Sequence, residues 1–335
     1  MNMGSKINSL IKNMSLFVLS MLIFILIFEV ILRITYPLYA DYNTEMWRYA
    51  VELKQKSNIS GLKHEHKPSK SGYFYGVELQ TNSLGIRSYR EYDIPKPANV
   101  IRILVLGDSI TLGWGVSYND TYPKVLESLL NNGSRKIEVI NTGVGNYNTV
   151  SELLALKKFM DLDPDMIILG FYINDLEKLD TPSKIGYVIK SNSYTYAFLY
   201  DKVVNTYYNV FNDYKNFYSE LYKEGPLKDT ANSALIEMIE IANNKSIPFV
   251  LVNIPELHNL ESNEFPEVQE FLQDIVKEHP EVVYIDLFDS FKGEEPTTLW
   301  VSLEDSHPNA KGHKIIAQEI YKVVANLLKN ESIAH

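Results

Sequence analysis

Residues 100–116 read V-I-R-I-L-V-L-G-D-S-I-T-L-G-W-G-V, and this stretch decides the fold. Val100–Leu106 is an apolar, largely β-branched run of strand length, broken only by Arg102, and it stops at Gly107 in a polar turn. Unbroken runs of this kind belong to strands buried on both faces, as in parallel sheets. Lys136–Ile140, Met166–Leu169, Pro248–Val252 and Val282–Ile285 repeat the pattern. Between the runs lie helical signals. Thr149 and Glu152 form a T-x-x-E helix start. Residues 227–244 place Ala231, Ala234, Leu235, Met238 and Ile241 on one face. From about Asn309 to Leu328, Ile316, Ile320, Val323, Val324 and Leu327 do the same. Strands alternating with amphipathic helices predict an α/β fold with a parallel sheet covered on both faces. Ligands of such sheets sit beyond the carboxyl ends of the strands.

Ser109 stands just after the first strand, at the start of a helix, where the helix terminus favours developing negative charge. A serine hydroxyl is a weak nucleophile without a base, and serine is also a common helix cap, so the turn alone fits either role. The loop L-E-D-S-H-P-N-A-K-G-H (303–313) supplies the missing partner. Pro308 biases His307 toward extended geometry, in which residues i and i+2 point the same way. Asp305 is thereby expected to orient the His307 ring as the acid of a Ser-His-Asp set, with Glu304 as the alternative acid should the segment form a turn. Two further loops follow the second and third strands: N-T-G-V-G-N-Y-N-T (141–149) and G-F-Y-I-N-D-L (170–176). Their tight glycines and the Asn174 amide, with the Ser109 N–H, are candidates for an oxyanion hole.

These four blocks, in this order, resemble the SGNH (GDSL-like) hydrolase superfamily. G-D-S around Ser109 resembles block I, the loop from Asn141 block II, Asn174-Asp175 block III, and Asp305-Ser-His307 block V. The resemblance covers roughly residues 100–328. It implies a flavodoxin-like three-layer α/β/α fold, a Ser109 nucleophile, His307 as base, and an oxyanion hole formed by Ser109, Asn146 and Asn174. N-terminally anchored members of this kind also carry an N-S-L-G-I-R-like stretch, as residues 82–87 do here. Three positions depart from the family pattern. Asn146 stands where glycine is usual in block II, Tyr172 replaces the glycine of G-x-N-D, and the acid more often lies three residues before the histidine, where Glu304 stands.

The remaining residues set the frame. The 335 residues carry a net charge of −10, which argues against a nucleic-acid partner. There is no cysteine, hence no disulfide or thiolate site. Histidine spacing shows no metal set, and no cofactor is expected. Met14–Phe28 is uncharged, and Val30–Leu32 extends the apolar run past Glu29, approaching the roughly 20 residues that span a bilayer. Lys6 and Lys12 precede it, which places the N-terminus in the cytoplasm and the catalytic part outside. No A-x-A cleavage site follows, so residues 1–35 are expected to be a single-pass signal anchor in the cell membrane rather than a cleaved signal peptide. Residues 36–98, with Pro37, Pro68, Pro95 and Pro97, read as a juxtamembrane linker and accessory segment, with short strands near Tyr73–Leu79. Residues 99–330 read as the catalytic domain. The tyrosine-rich stretch 176–225 reads as an insertion whose rings pack on the domain or cover a cleft.

His313, inside the final helix, is expected to make a structural hydrogen bond, and His258 to lie in a surface loop. Asp108 and Asp175 are expected to hold their loops, and Trp114 and Trp300 to pack in the core or line the cleft. Three functions fit these residues. The first is an esterase or deacylase that removes O-acyl, chiefly O-acetyl, groups from cell-envelope or exported carbohydrate. The second is an O-acyltransferase using the same Ser-His-Asp set, working with envelope polysaccharide machinery. The third is a non-catalytic carbohydrate-binding or assembly subunit on the same fold.

Overall fold

The computed structural model describes residues 3–36, 41–131, 136–179, 191–211 and 213–329. By contact the chain divides into two units, residues 1–47 with 182–211, and residues 48–181 with 212–335. Helices α1 (Met3–Thr35) and α2 (Tyr42–Glu52) come first. Two short antiparallel ladders follow, β1 (Lys54–Lys56) with β2 (His64–His66) and β3 (Ser71–Phe74) with β4 (Val77–Gln80). The second ladder is the strand pair expected near Tyr73–Leu79.

The central sheet starts at β5 (Val100–Gly107), buried along its whole length. It continues through β6 (Lys136–Asn141) and β7 (Met166–Phe171). After β5 come a one-turn helix α3 (Ser109–Leu112) and α4 (Tyr122–Leu130), and β6 leads to α5 (Thr149–Phe159). Helices α6 (Tyr194–Phe211), α7 (Tyr214–Leu221) and α8 (Pro226–Asn244) precede β8 (Phe249–Asn253). Then follow α9 (Pro266–Glu278) and β9 (Val283–Asp286). A hairpin of β10 (Trp300–Ser302) and β11 (Asp305–Pro308) leads into the last helix, α10 (Ala310–Lys329).

The five strands pair in the order β6-β5-β7-β8-β9, all parallel. This is the flavodoxin-like order, whose switch point lies where β5 neighbours β7. Alternation along β5 splits the core between two faces. Leu104 and Leu106 pack with α5, α8 and α9, and Ile103 and Val105 pack with α4 and α10. The architecture is therefore three-layered, as the alternating pattern predicts. Arg102 breaks the apolar run without breaking the strand, because Glu138 lies opposite it in register and its carboxylate is 2.9 Å from the guanidinium.

One helix start differs from expectation. The cap of α5 is Asn148, whose side chain accepts from the Ser151 N–H, not Thr149. Thr149 instead donates to the Asp175 carbonyl, and Glu152 is buried with neither oxygen hydrogen-bonded. Asn148 is held extended (φ −122°), the geometry a cap needs, one residue earlier than the T-x-x-E pattern suggests.

In the unit of residues 1–47 and 182–211, α1 contains an exposed span, Lys6–Thr35, long and apolar enough to cross a membrane or to act as a signal sequence. The charge at Glu29 has a local use. Its carboxylate accepts from the Ser193 hydroxyl and from the N–H groups of Tyr194 and Thr195 at the start of α6, capping that helix. In the other unit, Tyr218 and Tyr222 of the tyrosine-rich stretch donate to the Glu177 carboxylate and the Ile173 carbonyl. Tyr187 lies outside the described residues, as do the side chains of Tyr207 and Tyr208.

Candidate active site

The turn after β5 is built on a glycine. Gly107 sits at φ +151°, and a Cβ there would lie 2.0 Å from Thr111 Oγ1, so the strand can turn into α3 only without a side chain. The helix cap is Asp108, whose Oδ1 accepts from the Ile110 N–H at 2.8 Å. Ser109 is thus not the cap, and its hydroxyl is available elsewhere. Its Oγ lies 2.8 Å from His307 Nε2, against a longer contact of 3.3 Å to Asp108 Oδ2.

His307 is on β11, an extended segment, and Asp305 two residues earlier projects to the same side. Asp305 Oδ1 is 2.5 Å from His307 Nδ1 and also accepts from the His307 backbone N–H at 3.1 Å. The carboxylate keeps the ring proton on Nδ1, leaving the Nε2 lone pair for the serine hydroxyl. Burial by itself would lower the His307 pKa. The hydrogen bond and charge of Asp305, with the charge of Asp108, outweigh it and hold the group above its ordinary value. Of the two acids left open by the sequence, Asp305 is buried against the histidine. Glu304 is exposed, with its backbone N–H on Ser302 Oγ.

Trp114 completes the acid's surroundings, a role the sequence did not disclose. Its Nε1–H donates to Asp305 Oδ2 at 3.0 Å, and its ring is buried, stacked on Tyr75. The only local signal was a tryptophan five residues after the serine. Arg87 of the N-S-L-G-I-R stretch is fully buried and donates to the carbonyls of Leu112, Gly113 and Val116. A cation there complements the carboxyl end of α3, the helix that begins at Ser109.

The two donor loops follow β6 and β7, the neighbours of β5. Gly143 passes so close to α3 that a Cβ would meet the Leu112 nitrogen at 2.4 Å. Asn146 is exposed and lies in the left-handed region at φ +63°. That conformation accounts for glycine as the usual residue, and asparagine is among the few others that adopt it readily. Tyr172 adopts an extended backbone (φ −130°), so nothing in the conformation requires the glycine it replaces. The Asn174 side chain donates to Asp108, which helps offset the burial that raises the Asp108 pKa. Asp175 accepts from the Tyr172 N–H at 2.9 Å and ties the same loop.

The other candidates have local roles. His313 accepts from the Tyr122 N–H at 3.0 Å, and burial pushes its pKa down to about 3. His258 is half-exposed beside Glu256, whose hydrogen bond raises its pKa. Trp300 donates to the Leu257 carbonyl, and its ring meets that of His258 at 4.9 Å.

The sequence model of the GDSL-like Lipase/Acylhydrolase family matches residues 105–315. Among solved structures, the chain is similar to the psychrotrophic esterase EstA from a Pseudoalteromonas species, at 14% identity over 68% of this chain and 98% of that one (TM-score 0.44). It is similar also to a member of the lipolytic protein G-D-S-L family from Veillonella parvula DSM 2008, at 16% identity over 67% and 98% (TM-score 0.43). No curated protein matches the chain. The family match spans more than half of the chain and runs from the strand before Ser109 to the helix after His307, so the protein belongs to the GDSL-like lipase/acylhydrolase family and is a serine ester hydrolase.

Proposed function

We propose that Ser109 is the nucleophile, His307 its general base and Asp305 the acid that orients the base. The observation that carries this is the unbroken chain Ser109 Oγ–His307 Nε2 and Nδ1–Asp305 Oδ1, at 2.8 and 2.5 Å. His307 takes the hydroxyl proton as Ser109 attacks an ester carbonyl, and the N–H groups of Ser109 and Asn146 with the Asn174 amide receive the oxyanion. The protonated His307 gives its proton to the leaving alkoxide, and water activated by the same histidine then releases the acyl group from the serine. General base catalysis contributes ~10²–10⁴ in rate, and each oxyanion donor ~10²–10³.

The substrate class we infer is the O-acyl, chiefly O-acetyl, ester of an envelope or exported carbohydrate, met on the outer side of the membrane that holds α1. Two observations support it. The depression at the carboxyl ends of β7 and β8, whose lining holds none of Ser109, Asp305 and His307, combines polar side chains such as Asn253, Glu256 and Asn259 with apolar ones such as Ile254 and Phe265, a mixture that suits the hydroxyls and C–H faces of a sugar. Lys6 and Lys12 lie in the first part of α1, ahead of the uncharged run that begins at Met14. A fluorophosphonate probe with p-nitrophenyl acetate turnover tests the catalytic part. Labelling and turnover are expected in the native protein and lost in Ser109→Ala and His307→Ala. A folded native protein that neither labels nor turns over would sink the proposal. Acetate release from an acetylated glycan, rather than passage to an added glycan, tests hydrolysis against transfer.

A further inference from the structure

The accessory segment before the sheet converges on one residue, Gly145, in the loop after β6, and grips the peptide group on each side of it. The Gly145 carbonyl accepts from Lys54 Nζ at 2.9 Å and faces His64 Nε2 at 3.0 Å. The Gly145 N–H donates to the Tyr49 hydroxyl at 3.0 Å. Tyr49 in turn lies 2.6 Å from His66 Nε2, and His66 Nδ1 lies 3.1 Å from the Gly85 carbonyl of the N-S-L-G-I-R turn. Proton directions along this chain are consistent. Gly145 N–H donates to Tyr49, Tyr49 O–H to His66, and His66 Nδ1–H to Gly85. Lys54, Tyr49 and His66 are all buried. Burial, with the Lys54 charge next, pulls the His64 pKa down to about 3, so the ring is neutral; with its proton on Nε2 it donates to the carbonyl at 3.0 Å, the nearer of that atom's two neighbours, Lys54 Nζ lying at 3.4 Å.

A peptide group is planar and trans, so its C=O and N–H point in opposite directions. Whatever holds the Gly145 oxygen therefore aims the Asn146 N–H. This peptide needs holding. It joins a glycine to a residue at φ +63°, and a turn of that kind can flip its central peptide with little steric resistance. A flip would turn the Asn146 N–H away and present a carbonyl oxygen to the developing negative charge. Two donors on the oxygen, one of them cationic, oppose the flip. A buried ammonium on the carbonyl also polarises the amide and strengthens its N–H as a donor.

We propose that Lys54 and His64 are positioning residues of the oxyanion hole: by gripping the Gly145 carbonyl they aim and strengthen the Asn146 N–H. This rests on the reading of Asn146 as an oxyanion donor. The accessory segment thereby becomes part of the catalytic device.

The test uses the full chain in detergent micelles, with folding checked by circular dichroism. In Lys54→Met the expected result is a fall in kcat of ~30–100-fold, close to the loss of an oxyanion donor, with KM within threefold. Fluorophosphonate labelling slows by a similar factor, because the phosphonyl oxygen occupies the same hole. The acid limb of the pH profile stays in place, since His307 is untouched. His64→Leu loses ~10-fold, and His64→Gln, which keeps a donor, recovers most of it. Folded Lys54→Met or His64→Leu protein with kcat within threefold of wild type overturns the inference. So does a loss confined to KM, or His64→Gln as poor as His64→Leu. If Lys54→Met does not fold, the His64 pair decides. Replacing the amide at position 146 by an ester removes the N–H itself. No loss in that protein refutes the donor role of Asn146, whereas a loss there with none at Lys54 and His64 refutes only the positioning role.

Discussion

Asp305→Asn removes little volume and replaces one acceptor atom, yet its surroundings make it severe. Asp305 is 3% exposed and accepts three donors. Oδ1 takes the His307 backbone N–H and Nδ1–H, and Oδ2 takes Trp114 Nε1–H. Three donors and no acceptor suit only an ionised carboxylate. With the amide oxygen toward His307, the amide NH₂ faces Trp114 Nε1–H and leaves a buried donor unpaired, at a cost of ~1–3 kcal/mol. With the amide turned over, its NH₂ meets the His307 backbone N–H and requires a lone pair on Nδ1. The ring proton then moves to Nε2, 2.8 Å from Ser109 Oγ, and the base cannot accept the serine proton. Either way the charge that stabilises the imidazolium is gone. The expected fall in kcat is ~10³–10⁴, or about 4–5.5 kcal/mol of barrier. The assay is p-nitrophenyl acetate hydrolysis near neutral pH, with KM followed in parallel. A folded Asp305→Asn protein within tenfold of the wild-type kcat would refute the assignment of Asp305.

Three further outcomes are expected. Because the His307 pKa is held above 6.5 and the base must be neutral, kcat/KM should fall as pH drops through a midpoint above 6.5. Asp108→Asn, which keeps the helix cap, should move that midpoint down; a wild-type midpoint below 6.5, or an unmoved one in the variant, contradicts the electrostatic account. Asn146→Gly should keep kcat within threefold while Asn146→Val, forced to φ +63°, should lose ~5–30-fold, in line with ~1–2 kcal/mol of strain; equal activities would show that backbone conformation does not set this position. Burial, then the Asp108 charge, raises the Glu152 pKa well above 4.5. Below pH 4.5 both folded and unfolded states are protonated. As pH rises further the unfolded carboxyl ionises while the folded one keeps its proton, and stability falls. Glu152→Gln escapes this, so its Tm advantage should widen between pH 5 and 7, and a pH-independent difference would show that Glu152 ionises freely in the fold.

The five sheet strands were legible because strands buried on both faces must be apolar along their whole length. Even Arg102 did not disguise β5, since its partner Glu138 lies on the neighbouring strand. Ser109, Asp305 and His307 were legible from local geometry, a strand-to-helix turn in one case and an extended i, i+2 pair in the other. Helix starts were read less well. The T-x-x-E pattern at Thr149 is satisfied in composition, but the fold uses Asn148 as the cap and buries Glu152. Ladders as short as β1 and β2 carry no periodicity to detect. The parts that stayed hidden are long-range. Trp114 meets Asp305 across 191 residues, and Lys54 meets Gly145 across 91. No local pattern encodes such a meeting, and only packing brings the partners together.

Ser109 and His307 are separated by 198 residues of chain, with all the sheet strands after β5 in between. A ribosome making this protein completes the proposed nucleophile 198 residues before the proposed base. Until β11 has emerged and docked, the serine lies beside no histidine and is an ordinary alcohol. With Ser109 and His307 in the roles proposed above, ester cleavage is expected only once the hairpin of β10 and β11 has docked.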